Sequence, residues 1–324
     1  MFSKISIGKL RGMQQCSNPN GSISILALDH RNNLRKALNP EDPEQVPDEA
    51  ITNFKKILIR ALSPSYQSVL LDPEFGSAQC IASGALQGSK GLVIALEATG
   101  YTGNPMARES KILPQWSVEK AKRMGASAVK LLVYYHPESN NAMKIEDLVG
   151  LVGEECVQYD IPFFLEPLSY SIDPAQPKLS SDKRQNIVVE TARRLTGIPG
   201  VDVLKAEFPL DVNQVPDENT WEAACVELTS ASRVPWVLLS GAVNFPTFLR
   251  QTEVACINGA SGIAVGRAVW QEGPNLSGDP LLEFLTKTAV TRFDQLTSVC
   301  EKYARAWKDY FVFPEPNSEW YKSY

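Results

Sequence analysis

Two lysines and one glutamate sit where chain chemistry makes them costly. Lys130 lies in Ala128-Val-Lys-Leu-Leu-Val-Tyr-Tyr135, Glu166 ends Pro162-Phe-Phe-Leu-Glu166, and Lys205 lies in Val201-Asp-Val-Leu-Lys-Ala-Glu-Phe-Pro209. All three runs are apolar and short, as strands are. Strand alternation puts Val203, Lys205 and Glu207 on one face and Leu204 and Ala206 on the other. A lysine in such a run loses hydration and must be paired or used. The functional reading is a free amine that attacks a carbonyl and forms a Schiff base. The plainer reading is a strand-end lysine snorkelling to solvent. On three neighbouring strands, roughly 5 Å apart, these side chains can meet. Like charge from Lys130 then lowers the pKa of Lys205, and Glu166 shuttles protons between them. A purely structural ion-pair cluster is the competing expectation, but a buried pair seldom outdoes apolar packing.

The elements that must position these residues follow from the apolar runs. Strands are expected at 23–29, 69–72, 91–97, 128–135, 162–166, 201–209, 235–240 and 262–266, with helices at 5–15, 48–62, 118–124, 145–159, 181–196, 218–230, 245–257 and 280–308. The helix at 48–62 carries Ile51, Phe54, Ile57 and Leu58 at helical spacing. A long loop is expected at 98–116, of the kind that often closes over a site. Strands alternating with helices point to an α/β fold, a single (β/α)8 TIM barrel spanning 1–324 with a short N-terminal helix and an aromatic C-terminal tail. A doubly wound sheet would want a glycine-rich phosphate loop after an early strand, and the sequence has none. Asp29, Asp72, Glu97, Lys130, Glu166, Lys205, Ser240 and Gly266 are expected to share the lumen face with Ala27, Ala95, Ala128 and Ala264. That brings polar groups to the C-terminal end, where barrel sites form. After the seventh and eighth strands, Ser240-Gly241-Ala242 and Gly266-Arg267-Ala268 offer a hydroxyl, backbone N–H groups and a guanidinium. Together they suit a phosphate.

Composition narrows the partners. The chain has 324 residues, 44% of them hydrophobic, and a formal net charge of −5 with no long basic run. Nucleic acid is therefore not an expected partner. No run is long or apolar enough for a membrane span, and the start is too broken by polar residues for a signal peptide. Six scattered cysteines without C-x-x-C spacing suggest reduced thiols in a cytoplasmic protein, without disulfides or Cys-ligated zinc. Only His30 and His136 are present, too few for a three-histidine metal site.

Eight segments occur in order: Leu28-Asp-His-Arg31, Leu70-Leu-Asp-Pro-Glu-Phe-Gly76, Glu97-Ala-Thr-Gly-Tyr101, Ala128-Val-Lys-Leu-Leu-Val-Tyr-Tyr135, Phe163-Phe-Leu-Glu-Pro-Leu168, Val201-Asp-Val-Leu-Lys-Ala-Glu207, Leu239-Ser-Gly-Ala242 and Gly266-Arg-Ala-Val-Trp270. Together they resemble the class I tagatose 1,6-bisphosphate aldolase family, which is itself similar to sulfofructose-phosphate aldolases. The resemblance implies a lyase with no metal or other cofactor. It implies Lys205 as the Schiff-base lysine, Glu166 as acid/base, Lys130 as a supporting lysine and Asp29 as the first-strand aspartate. It also implies Ser240, Gly241, Gly266 and Arg267 as phosphate ligands, and a homo-oligomer. The expected reaction cleaves a ketose 1,6-bisphosphate, of tagatose or fructose type, to dihydroxyacetone phosphate and glyceraldehyde 3-phosphate. A 6-deoxy-6-sulfofructose 1-phosphate aldolase, a sugar-phosphate isomerase and a sugar-phosphate-sensing barrel are the alternatives. Where the family commonly has glutamine after the first-strand aspartate, this chain has His30. That puts the far end of the substrate in question. His30, Arg31 and Arg108 are the candidates for contact with a second anion there.

Overall fold

The structure is a computed structural model and describes residues 3–324. Its centre is a closed barrel of eight parallel strands: β1 (Ile23–Leu28), β2 (Ser68–Leu71), β3 (Gly91–Ala95), β4 (Ala128–Tyr134), β5 (Phe163–Leu168), β6 (Val203–Ala206), β7 (Trp236–Leu239) and β8 (Gly262–Val265), paired in sequence order with β8 closing onto β1. These strands are buried on both faces, so they read as continuous apolar runs. The major helices are α1 (Ile7–Cys16), α2 (Asn32–Leu38), α3 (Asp48–Leu62), α4 (Ser77–Ala82), α5 (Val118–Arg123), α6 (Ala142–Gln158), α7 (Ser181–Leu195), α8 (Glu218–Ala231), α9 (Phe245–Ile257), α10 (Arg267–Trp270), α11 (Gly278–Glu283) and α12 (Val290–Tyr303).

Two apolar layers follow from strand alternation. Leu26, Val69, Ile94, Val129, Leu165, Leu204, Leu238 and Ile263 pack outward under the helices. Ile25, Leu70, Val93, Phe164, Val203 and Val237 fill the lumen near its N-terminal end, where Met13 of α1 and Trp307 plug it. The plug is tight: a Cβ on Gly12 would meet the Ser127 carbonyl oxygen at 2.2 Å. The lower lumen is therefore filled mainly by apolar side chains. Helix starts are set by side-chain caps. Ser117, Asp217 and Asn244 accept from the backbone N–H groups of Lys120, Thr220 and Thr247.

Several expectations change in detail. The long third loop folds in part into an antiparallel hairpin, Thr102–Asn104 against Ala107–Glu109. The helical stretch expected at 280–308 is α11 and α12 joined by a π-helical turn, Phe284–Ala289, and it ends at Tyr303. The aromatic tail lies on its own barrel. Phe311–Val312 pairs in parallel with Ser3–Lys4, and Tyr324 Oη donates to the Asp160 carboxylate. Among the described residues, no helix is long and apolar enough to cross a membrane.

Candidate active site

A cavity of about 470 Å³ opens at the C-terminal ends of the strands. Glu166 organises its floor. One carboxylate oxygen lies 2.8 Å from Lys205 Nζ and the other 3.1 Å from Lys130 Nζ. The side chains come from adjacent strands β4, β5 and β6, whose alternation aims all three inward. Lys130 also lies 2.7 Å from Asp29 and 2.5 Å from Glu97. Glu97 in turn accepts from the Leu132 backbone N–H at 3.0 Å, which fixes its carboxylate.

The two lysines are thus placed differently. Lys130 is held by three carboxylates and does not reach the cavity wall. Lys205 lines the cavity and has Glu166 as its ion-pair partner. Burial alone would lower the Lys130 pKa. The charges of Asp29, Glu97 and Glu166 outweigh it and hold that ammonium well above its ordinary value. Burial pushes Asp29 up, but Lys130, Lys205 and His30 hold it well below the usual carboxylate range. The like charge expected from Lys130 therefore comes already surrounded by opposite charge.

Ser240, Gly241, Gly266 and Arg267 all line the β7–β8 side of the cavity. Ser240 gets there by another route than lumen parity. Val237 is the lumen residue of β7, which puts Ser240 out of phase. The chain turns immediately, with Gly241 and Ala242 at φ 53° and 64°, and brings Ser240 to the rim. Arg267 is half-buried, its Nε has no hydrogen-bond partner, and burial lowers its pKa against the pull of Asp29. His30 stacks edge-on against Trp270 with ring centroids 5.2 Å apart. Its Nδ1 is buried and unpartnered, 3.9 Å from Asp29. Burial takes its pKa down to about 4, aided by Arg267, Lys205 and Lys55 against Asp29, so the ring is neutral near pH 7.

Asp72, expected in the lumen, does not line the cavity. It turns into the helix layer, pairs with Lys55 of α3 and accepts from Phe75 N at 2.7 Å. Arg31 lines the cavity, but its guanidinium is held by Glu74 at 2.5 Å and by the Glu97 carbonyl at 2.7 Å. Arg108 lies outside the cavity wall, among the rings of Tyr101, Tyr134 and Tyr170 at 4.5–5.4 Å.

A sequence model of the DeoC/LacD family of aldolases matches residues 23–272, which is most of the barrel. The chain belongs to that family. Similar relatives include the tagatose 1,6-diphosphate aldolase of Staphylococcus aureus strain MW2, 32% identical over 93% of this chain and 97% of that one. Its counterpart in strain JH9 is 31% identical over the same shares. Among solved structures, an archaeal fructose 1,6-bisphosphate aldolase aligns with TM-score 0.57 and 26% identity over 87% of this chain and 98% of that one. A Schiff-base-forming fructose-1,6-bisphosphate aldolase aligns with TM-score 0.56 and 25% identity over 86% and 97%. The fructose-bisphosphate aldolase of Plasmodium falciparum, at TM-score 0.73 and 12% identity over 94% and 98%, shares the fold.

For a DeoC/LacD aldolase, the cavity contains residues that the sequence patterns did not single out. Lys36 and Asn33 of α2 line it, as does Thr99 after β3. Helix α2 has only seven residues, Asn32–Leu38, and buries a single one, Leu34, so it leaves no amphipathic repeat to detect. Tyr134 also lines the cavity. Burial raises its pKa, opposed by Arg108.

Proposed function

We propose that this DeoC/LacD aldolase works through Lys205 as Schiff-base nucleophile and Glu166 as its proton carrier, on a ketose 1,6-bisphosphate of tagatose or fructose type. The observation that carries the assignment is the split between the two lysines that share Glu166. Lys130 is a fixed cation locked among three carboxylates, whereas Lys205 faces the cavity. Only the second can meet a carbonyl.

The geometry supports the following sequence. Lys205 Nζ gives a proton to Glu166, 2.8 Å away, and its lone pair attacks the C2 ketone. The attacking nitrogen passes a second proton to the new alkoxide to give the carbinolamine, Glu166 returns its proton to that hydroxyl, which leaves as water, and the iminium remains. That cation is the electron sink. Glu166 then takes the proton of the C4 hydroxyl, the C3–C4 bond breaks, and its electrons pass into the enamine while glyceraldehyde 3-phosphate departs. The enamine is protonated at C3 and hydrolysed to dihydroxyacetone phosphate, which frees Lys205. Lys130 holds Asp29, Glu97 and Glu166 in place. Ser240, Gly241, Gly266 and Arg267 would hold the 1-phosphate. The six cysteines are free and buried, which suits a reducing, cytoplasmic compartment.

The test is covalent trapping. Borohydride reduction in the presence of dihydroxyacetone phosphate is expected to add the reduced ligand to the peptide holding Lys205. An adduct on Lys130, or cleavage of the bisphosphate without any adduct, would overturn the assignment.

A further inference from the structure

The cavity's charges are nearly all matched within the protein. Asp29, Glu97 and Glu166 face Lys130 and Lys205, Arg31 is held by Glu74, and Glu207 lies 3.1 Å from Arg184. His30 stays neutral. Two cations on the wall are left over, Arg267 and Lys36, and among the described residues neither forms an ion pair. Arg267 belongs with the loops after β7 and β8. Lys36 is elsewhere: it stands on α2, in the connection from β1 to β2. In the closed strand order β2 is four strands from β6, so this connection borders the wall across from Lys205.

Lys36 also differs from the basic residue beside it. Arg35 is paired with Asp48 and lies over the Phe75 ring at 5.4 Å. Leu34 is buried and anchors the helix. Lys36 is exposed on a fixed helix, with its ammonium unengaged at the cavity. Asn33 on the same helix and Thr99 on the loop after β3 add polar groups to that wall. Of the two arginines expected to serve the far anion, Arg31 is already engaged by Glu74 and the Glu97 carbonyl, and Arg108 lies outside the cavity.

We propose that Lys36 is the specificity residue for the distal anion: it binds the 6-phosphate of the substrate while Arg267 binds the 1-phosphate and Lys205 meets the carbonyl. This deepens the functional reading above and rests on it. A compact ammonium suits a phosphate as a point charge, and it engages from the rim without the large desolvation cost of a buried ion.

The test uses hexitol bisphosphate and monophosphate, which have no ketone and cannot form an imine. The intact enzyme is expected to bind hexitol 1,6-bisphosphate roughly tenfold or more tighter than hexitol 1-phosphate, as one charge-assisted contact allows. Lys36→Met is expected to collapse that difference to within about twofold, and Lys36→Arg to keep it. Persistence of the full difference in Lys36→Met would overturn the proposal, as would equal weakening for both ligands. Adduct formation with dihydroxyacetone phosphate, too short to span the cavity, is read in parallel on the same variants. Loss of that adduct in the intact enzyme counts against Lys205 chemistry, whereas the hexitol comparison reports on Lys36 alone.

Discussion

Two of the places where this barrel buries lysine against carboxylate differ in what surrounds the pair. In the helix layer, Lys55 of α3 meets Asp72 with both side chains fully sealed. In the lumen, Lys205 meets Glu166 with nearly the same burial, but the pair faces the cavity, and Glu166 also reaches Lys130. Burial of a lysine therefore does not by itself mark a working amine. What separates the sites is access, together with a partner that keeps a second cation when the first reacts. The sealed pair cannot exchange its proton with a substrate, and losing one member leaves the other charge alone.

One substitution made at both lysines should give opposite readouts. Lys205→Met is expected to reduce cleavage on the order of 10⁴-fold or more, because it removes the proposed nucleophile. Its melting should stay close to that of the unaltered chain, because Glu166 keeps Lys130 at 3.1 Å. Steady-state cleavage and thermal unfolding of one preparation check both. Substantial residual turnover would move the nucleophile elsewhere.

Lys55→Met should do the reverse. Asp72 would remain buried with Phe75 N–H but no counter-charge, at a cost of about 3–5 kcal/mol in stability. Turnover per folded molecule should change little. In the double variant Lys55→Met/Asp72→Asn the charge is gone but the acceptor for Phe75 N–H remains, and most of the loss should be recovered. Denaturant unfolding of the three proteins measures this. If the double variant is as unstable as the single one, packing of the Lys55 stem matters more than the charge.

The barrel and the Lys130–Glu166–Lys205 line were legible because strand alternation is strict inside a closed sheet. Lys130, Glu166 and Lys205 point inward for the same reason as Phe164 and Val203. Alternation stops informing where strands end. Asp72 has lumen parity but follows the last residue of β2, and the turn carries it to Lys55. Ser240 lacks lumen parity yet reaches the rim through two positive-φ residues. The role of Arg31 depended on Glu74 and Glu97, which approach it from other loops and leave no local mark in the sequence. Lys36 was hidden for a related reason, since its short helix has no periodic apolar face.

His30 lies between the two regions, and it can measure how far each one extends. Its pKa is lowered first by burial, then by the cations Arg267, Lys205 and Lys55, with Asp29 opposing. The sign follows from the folded value of about 4 against 6.5 for an unperturbed histidine. Above pH 6.5 the ring is neutral whether the chain is folded or not. As pH falls from 6.5 to 4, the unfolded chain takes up a proton that the folded protein refuses, so stability declines across that window by up to about 3 kcal/mol. The depressed Asp29 acts at lower pH, below its ordinary 3.8, and does not overlap. His136, also lowered by burial, titrates in both proteins when His30→Gln is compared with the unaltered chain, so its contribution cancels. His30→Gln is thus expected to flatten the acid side of the stability profile between pH 6.5 and 4. An NMR titration of the His30 ring sharpens the comparison further. Removing either lysine's charge should raise its pKa, with Lys205→Met acting more strongly than Lys55→Met because the lumen lysine is the larger contributor. An equal or reversed order would mean that the sealed pair reaches the active site more strongly than its burial suggests.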